Sequence, residues 1–163
     1  LPIALLTGVL GVVGALAART FSGMIAYLTI SSVGTILTGV GLFSETGLGA
    51  ALFYLVHSTL VVAALFLLAE VVAAQRGDAA DRLEPAAPVA QPAVLGTVLV
   101  LGAMSVAGAP PLTGFIGKIM LLESARETAA VAWVWATLLA TSLLGLIGMA
   151  RAGSIVFWQV RPE

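Results

Sequence analysis

The chain has 163 residues, of which 60% are hydrophobic and 9% charged, and its mean hydropathy is +1.12. A typical soluble domain carries about 25% charged residues, so lipid must form part of the solvent of this chain. The formal net charge of −1 offers no basic surface for nucleic acid. Without cysteine and with one histidine, the chain has no candidate for a disulfide, a thiolate site or a histidine-cluster metal site.

Five apolar stretches predict membrane-spanning helices, each near or above the ~20 residues that a bilayer requires. Backbone groups in lipid must be paired within the segment, which favours helices over open sheets. We therefore predict an all-α integral membrane protein whose residues 1–163 form one membrane domain. Its helices lie at about 2–18, 22–43, 49–74, 93–125 and 129–150.

The fourth stretch is longer than one span needs, and its middle reads AGAPPLTG. Proline lacks a backbone donor and clashes with the preceding turn. The sequence therefore predicts a helix broken near 107–111, at Pro110 and Pro111, and Gly114 belongs to the same break. The strongly polar stretch QRGDAADRLEPAAPVAQP, residues 75–92, reads as an extramembrane loop.

The arginines predict the orientation. With five spans, all but Arg126 fall on one side of the membrane, the members of that group being Arg19, Arg76, Arg82, Arg151 and Arg161. By the positive-inside rule, this side, with the 75–92 loop and the C-terminus, is cytoplasmic. We expect a multi-pass protein of the cell inner (plasma) membrane. The opening LPIALLTGVL has no Met and no basic start, so we expect a piece of a longer transporter.

Two ionisable residues inside the predicted helices are the first candidates for proton transfer. Lys118 lies about two turns after the double proline, and a charge at membrane depth costs ~2.5–3.5 kcal/mol unless it is paired or solvated. His57 lies in the middle of the third helix and titrates near neutral pH. The alternatives are a Lys118 that snorkels to the surface and a neutral core His57 bonded to a Ser or Thr of the second helix.

Other polar residues inside the helices extend this pattern. A candidate polar path comprises Ser32, Thr35, Tyr54, Ser58 and Glu70. Such hydroxyls more often join helices than conduct ions, and Glu70 lies close enough to a helix end to snorkel. No phosphate-binding loop, dinucleotide fingerprint or nucleophile motif is present. The sequence therefore predicts no catalytic residues, no metal and no cofactor.

Three runs resemble the proton-conducting membrane transporter family, which covers the antiporter-like subunits of respiratory complex I and the large subunits of Mrp/Pha cation/proton antiporters. MIAYLTISSVGTILTGVG (24–41) resembles the family's "LAYSSISQIG" helix, and LVHSTLVVAALFLLAEVV (55–72) resembles the "HAFFKALLFL" helix. MSVAGAPPLTGFIGKIMLL (104–122) resembles the broken "AGxPPxxGFxxK" helix and is the most specific. The "HSTLV" form is most similar to the D-type subunit of the antiporters, and the match implies the C-terminal half of such a subunit.

The resemblance implies that Lys118 is the lysine of the broken helix, which exchanges protons, and that His57 is the histidine of the central polar axis. The sequence departs from the family at two places. The lysine after that histidine aligns with Val62, and the basic pair before "LAY" aligns with Ser22 and Gly23.

The resemblance implies a secondary transporter subunit rather than an enzyme. It would supply part of a proton path in a multi-subunit Na⁺ or K⁺/proton antiporter, in contact with lipid and with partner subunits. The alternatives are the proton-pumping membrane arm of a complex I-type NADH:quinone oxidoreductase and a non-transporting membrane scaffold.

Overall fold

The computed structural model describes residues 1–159, and Arg161 therefore lies outside the described residues. Within 1–159 the chain is helical and contains no strand beyond an isolated bridge between Thr20 and Arg82. The six α-helices are α1 (Pro2–Ala17), α2 (Phe21–Val40), α3 (Glu45–Gln75), α4 (Pro92–Ala107), α5 (Thr113–Ser124) and α6 (Val131–Gly153). A 3₁₀ turn at Gly77–Ala79 follows α3, and a π-helical turn at Ser154–Trp158 continues α6.

The predicted all-α membrane fold is confirmed, while the count of five spans is approximate. In the described part of the chain, three helices are long and apolar enough to cross a bilayer by themselves, namely Phe21–Val40, Glu45–Gln75 and Val131–Trp158. Pro2–Ala17 and Pro92–Ala107 are shorter apolar helices. The fourth predicted helix is two helices, α4 and α5. α4 ends before the double proline, at Ala107, and α5 begins after it, at Thr113.

The ends of α2 and α3 differ slightly from the sequence pattern. α2 ends at Val40, with Gly41 as its C-cap, rather than at 43. α3 begins at Glu45, because the Ser44 side chain accepts a hydrogen bond from the Gly47 amide at 3.0 Å and caps the helix. Hydropathy locates the apolar part of a helix, whereas capping side chains decide the residue at which the helix starts.

α1 and α2 pack at close range through small residues. A Cβ atom on Gly34 would lie 2.3 Å from the backbone nitrogen of Gly8, and one on Gly11 would lie 2.4 Å from that of Ser31. Ser31 Oγ uses this proximity to donate to Gly8 O at 2.9 Å. Small residues and hydroxyls join helices in this way where lipid removes the hydrophobic drive between them. Ser32 and Thr35 of α2 line a cavity that Tyr54 of α3 and Lys118 of α5 also border.

The helices form two buried apolar clusters. One surrounds Phe21, Ile25 and Met149 at the end that carries the 75–92 loop, called here the loop end. The other surrounds Ala50, Leu121 and Val134 at the opposite end. His57 lies on α3 between the two clusters and is 7% exposed.

A buried arginine organises the loop end. Arg76, the C-cap of α3, is 3% exposed, and its guanidinium donates to three loop carbonyls: Arg82 O at 2.7 Å, Ala80 O at 3.2 Å, and Glu84 O. Burial lowers the pKa of Arg76, and the carboxylates of Glu84 and Asp81 oppose this. Its Nε is a buried donor without a partner among residues 1–159. Arg76 therefore fixes the loop as a defined structure.

The loop in turn caps α2. Asp81 O accepts from the Phe21 amide at 2.8 Å, and Asp81 Oδ2 accepts from the Ser22 amide at 2.9 Å and from the Ser22 hydroxyl. A carboxylate at a helix N-terminus satisfies free N–H groups and complements the helix dipole. The 75–92 loop thus connects the N-terminus of α2, through Asp81, with the C-terminus of α3, through Arg76.

Candidate functional site

The site is built around the break between α4 and α5. α4 ends at Ala107, and Gly108 follows in the left-handed conformation with φ of 74°. Glycine suits this position doubly, because a Cβ there would also lie 2.7 Å from Lys118 Cδ. The Pro110–Pro111 bond is cis, and α5 starts at Thr113. The last carbonyls of α4 consequently have no helical partners within α4.

Lys118 reaches back across the break from α5 to the end of α4. Its Nζ donates to three oxygens: Val106 O at 2.7 Å, Ala107 O at 3.1 Å and Ser142 Oγ at 2.6 Å. An ammonium group has three N–H donors, so each has an acceptor. The carboxyl end of a helix also carries a partial negative charge that favours a cation. The snorkelling alternative is therefore wrong for this conformation, because the ammonium lies at the break.

His57 joins both sides of the same break. Its Nε2 lies 3.2 Å from Ser105 O, and its Nδ1 lies 2.8 Å from Thr113 Oγ1. A carbonyl only accepts, so Nε2 is the donor, and in the neutral ring Nδ1 accepts from the Thr113 hydroxyl. His57 and Lys118 together contact the last three carbonyls of α4. The hydroxyl partner of His57 comes from α5, and the alternative that placed it on the second helix is wrong.

Gly114 makes this arrangement possible. A Cβ on Gly114 would lie 2.1 Å from Ser105 O and 2.7 Å from His57 Nε2. Real side chains do not approach backbone oxygens so closely, so only glycine allows α3, α4 and α5 to meet here. The sequence places Gly114 at the break, and the structure gives it a packing role between His57 and the end of α4.

A small cavity borders Lys118 on the side of α2. Its volume is about 10 Å³, which is close to the room that one water molecule needs. Its polar lining consists of Ser31, Ser32, Thr35, Tyr54, Lys118 and Thr141. The structure therefore brings three of the predicted polar-path residues, Ser32, Thr35 and Tyr54, to the cavity that Lys118 borders.

Ser58 and Glu70 lie elsewhere. Ser58 Oγ donates to Leu55 O of its own helix at 3.2 Å, and the residue does not line the cavity. Glu70 is exposed on the surface of α3, well beyond His57 toward the loop end. Thr35 Oγ1 also bonds its own helix, to Ser31 O at 3.2 Å, while still lining the cavity. The predicted path therefore divides into a cavity group and two residues apart from it.

Three residues of the site were not predicted from the sequence. Thr113 binds His57, Ser142 binds Lys118, and Thr141 lines the cavity. Thr113 lies two residues after Pro111, as the first residue of α5, and nothing in the sequence marks it as a partner of His57. Ser142 and Thr141 stand in an ordinary apolar helix sequence, and no local signal distinguishes them from hydroxyls that bond their own backbone.

Comparison with known proteins decides the family. The family model described as "NADH:quinone oxidoreductase/Mrp antiporter, TM" matches residues 1–146. The chain belongs to this family. It is 37% identical, over 94% of its length, to the D subunit of a probable K⁺/H⁺ antiporter of Rhizobium meliloti. It is 33% identical, over 99% of its length, to the D subunit of the Na⁺/H⁺ antiporter of Bacillus subtilis.

The fold is also that of a solved assembly. In the structure of the Mrp complex from Dietzia sp. DQ12-45-1b, a chain 28% identical matches 99% of this chain with a TM-score of 0.84. The matched part is 30% of that chain. Similarly, this chain spans about a third of the length of the two relatives, 34% and 32%. The resemblance drawn from the three sequence runs is thus confirmed at the level of the family.

Proposed function

We propose that this chain supplies part of the proton path in a membrane subunit of a multi-subunit Na⁺ or K⁺/proton antiporter. The observation that carries the proposal is the position of Lys118, an ionisable group held at the end of a broken helix beside a polar cavity. Intramembrane ionisable groups at broken helices are typical of ion sites in secondary transporters. Both relatives are named as D subunits of cation/proton antiporters.

In this proposal Lys118 takes up and releases a proton, and a water in the cavity carries it to or from the Nζ atom. Lysine suits this role because its ammonium can lose a proton where an arginine cannot. Ser32, Thr35 and Tyr54 orient the water from the α2 and α3 side. His57 holds the two halves of the broken helix together and offers a second titratable group at the same carbonyl row.

Between His57 and the loop end, α3 offers few groups that could carry a proton. Val62, which stands where the family has a lysine, is half-buried and packs against the apolar cluster at that end. Glu70 is the next ionisable residue on α3, and it is exposed rather than turned toward His57. We infer that the part of the proton path beyond His57 runs through other segments or through water, and that Ser58 and Glu70 have a minor role.

We further propose that the loop end faces the cytoplasm, in an inner (plasma) membrane. Arg19, Arg76, Arg82 and Arg151 all lie at this end, whereas Arg126 lies at the opposite end beside Glu123. The chain has no cysteine, so single cysteines report on sidedness directly. In right-side-out cells, we expect an impermeant maleimide to label Ala129→Cys and to spare Asp78→Cys. Labelling in the reverse order would contradict the orientation.

Ion exchange in membrane vesicles tests the function. Everted vesicles that contain the complete complex should release accumulated protons when Na⁺ or K⁺ is added, without any quinone reductant. A complex I-type pump, which the family description also covers, would instead need NADH and quinone to move protons. A scaffold would leave cation/proton exchange unchanged when Lys118 is replaced. Either of these results would reject the antiporter proposal.

A further inference from the structure

Ser142 on α6 provides the one side-chain acceptor of the Lys118 ammonium among residues 1–159. Its Oγ accepts from Lys118 Nζ at 2.6 Å and donates to Leu138 O at 2.6 Å. A hydroxyl has one proton, and here that proton is engaged by the helix carbonyl. The Ser142 oxygen is therefore oriented with its lone pairs toward Nζ, as an acceptor for a positively charged donor.

The neighbouring hydroxyl on α6 has a different position. Thr141 lines the cavity beside Lys118, and its Oγ1 donates to Thr137 O at 2.8 Å. α6 thus presents two adjacent hydroxyls near Lys118. Ser142 contacts the ammonium directly, whereas Thr141 lines the neighbouring cavity. A lysine side chain is long and flexible, so the acceptors around it decide where its Nζ resides.

We propose that Ser142 is a positioning residue that holds the Lys118 ammonium against the end of α4. Together with Val106 O and Ala107 O, it completes three acceptors around the charged group. The neutral amine has one N–H fewer and needs one acceptor fewer, so Ser142 favours the protonated lysine. This inference rests on the proposed function, because it assigns a role to Ser142 through the proton exchange of Lys118.

The test measures the pH profile of cation/proton exchange in vesicles that contain the complete complex. In Ser142→Ala the ammonium loses one acceptor, which weakens the protonated form. The rising limb of the profile should move to lower pH by about half a unit or more. Ser142→Thr retains the hydroxyl and should restore the wild-type profile. The matched control is Ser124→Ala, since Ser124 Oγ bonds its own helix, to Leu121 O at 2.8 Å.

A wild-type profile in Ser142→Ala would overturn the inference. So would an equal loss of assembled complex in the Ala and Thr variants with an unchanged profile, because that result shows a packing role. If Ser142→Ala does not assemble, Ser142→Cys serves instead, since it keeps the volume with a weak sulfur acceptor. It should move the profile in the same direction, and an unmoved profile rejects the role.

Failure of this inference is distinguishable from failure of the proposed function. If Lys118→Ala abolishes exchange and the Ser142 variants keep the wild-type pH profile, only the role of Ser142 is rejected. If Lys118→Ala retains wild-type exchange, the proposed function itself is rejected, and the role of Ser142 is rejected with it.

Discussion

Lys118 and Arg76 are two cations that both donate to rows of backbone carbonyls, at opposite places in the fold. Arg76 binds carbonyls of the loop that encloses it, and it is almost completely buried. Lys118 binds carbonyls at the end of a broken helix, and it borders a small polar cavity. The same kind of contact therefore supports a fixed structure in one region and, in the proposed function, an exchangeable proton in the other.

The difference arises from the side chain and from its surroundings. A guanidinium stays protonated in proteins and binds several acceptors in a rigid plane. The contacts of Arg76 with the loop carbonyls therefore persist at any pH at which the protein is folded. An ammonium can lose its proton, and Lys118 borders a polar cavity that receives this proton in the proposed function. We therefore expect proton exchange at Lys118 and only a structural role for Arg76. The following variants test that distinction, from the largest expected effect to the smallest.

Arg76→Ala should produce the largest loss of stability. It leaves three loop carbonyls without their charged donor, at roughly 3 kcal/mol in total, and it loosens the Asp81 cap on α2. The amount of assembled complex and its melting temperature in detergent should both fall. Exchange per assembled complex should stay within about twofold of wild type, because the carbonyls and the cavity around Lys118 are unaltered.

Arg82→Ala is the matched control for this variant. The Arg82 side chain forms an exposed ion pair with Glu84 at 2.9 Å, and such pairs contribute about 0–1 kcal/mol. Assembly should be close to wild type. If both variants reduce assembly equally, the buried guanidinium has no special structural role, and the contrast between Arg76 and Lys118 is wrong.

Gly114→Ala should impair exchange at the break. The added methyl group would lie 2.1 Å from Ser105 O, and overpacking of this kind costs ~1–3 kcal/mol. Relief requires α5 to move away from α4, which lengthens the bonds of His57. We expect exchange to fall roughly tenfold or more. Gly96→Ala, in α4 with open space around it, should leave exchange unchanged. Equal effects in both would refute the tight contact.

His57→Ala should have an intermediate effect. It removes the contacts to Ser105 O and Thr113 Oγ1 but leaves all three acceptors of Lys118 in place. Two neutral hydrogen bonds contribute about 1 kcal/mol each, so exchange should fall several-fold without being abolished. Thr113→Ala removes one of the two contacts, so exchange should fall less in this variant than in His57→Ala. A complete loss of exchange in His57→Ala would make His57, rather than Lys118, the essential proton carrier.

Ser58→Ala and Glu70→Gln should have the smallest effects. Ser58 bonds its own helix, and Glu70 lies exposed on α3, away from the cavity. Surface and self-bonded substitutions usually change stability by less than about 0.5 kcal/mol. Exchange by either variant should therefore remain within about twofold of wild type. A tenfold loss in Glu70→Gln would place the proton path along α3 and revise the division of the polar residues.

The sequence predicts the break, and it makes Lys118 conspicuous, because both signals are local. Paired prolines disrupt a helix wherever they stand, and a lysine in an apolar run is conspicuous. The partners of these residues could not be predicted in the same way. Thr113, Ser142 and the loop carbonyls that bind Arg76 are brought into place by tertiary packing. Even the stretch 75–92, correctly read as polar, gave no sign that Arg76 is buried within it.

Replacement of Lys118 tests the central claim most directly. The measurement is Na⁺- or K⁺-driven proton exchange in vesicles with the complete complex, for Lys118→Ala and Lys118→Arg, alongside the amount of assembled complex. We predict that both variants assemble and that neither exchanges protons above the background of vesicles without the complex. Retention of the positive charge in Lys118→Arg should not help, because arginine does not release its proton. Exchange at the wild-type rate in either variant would contradict the account.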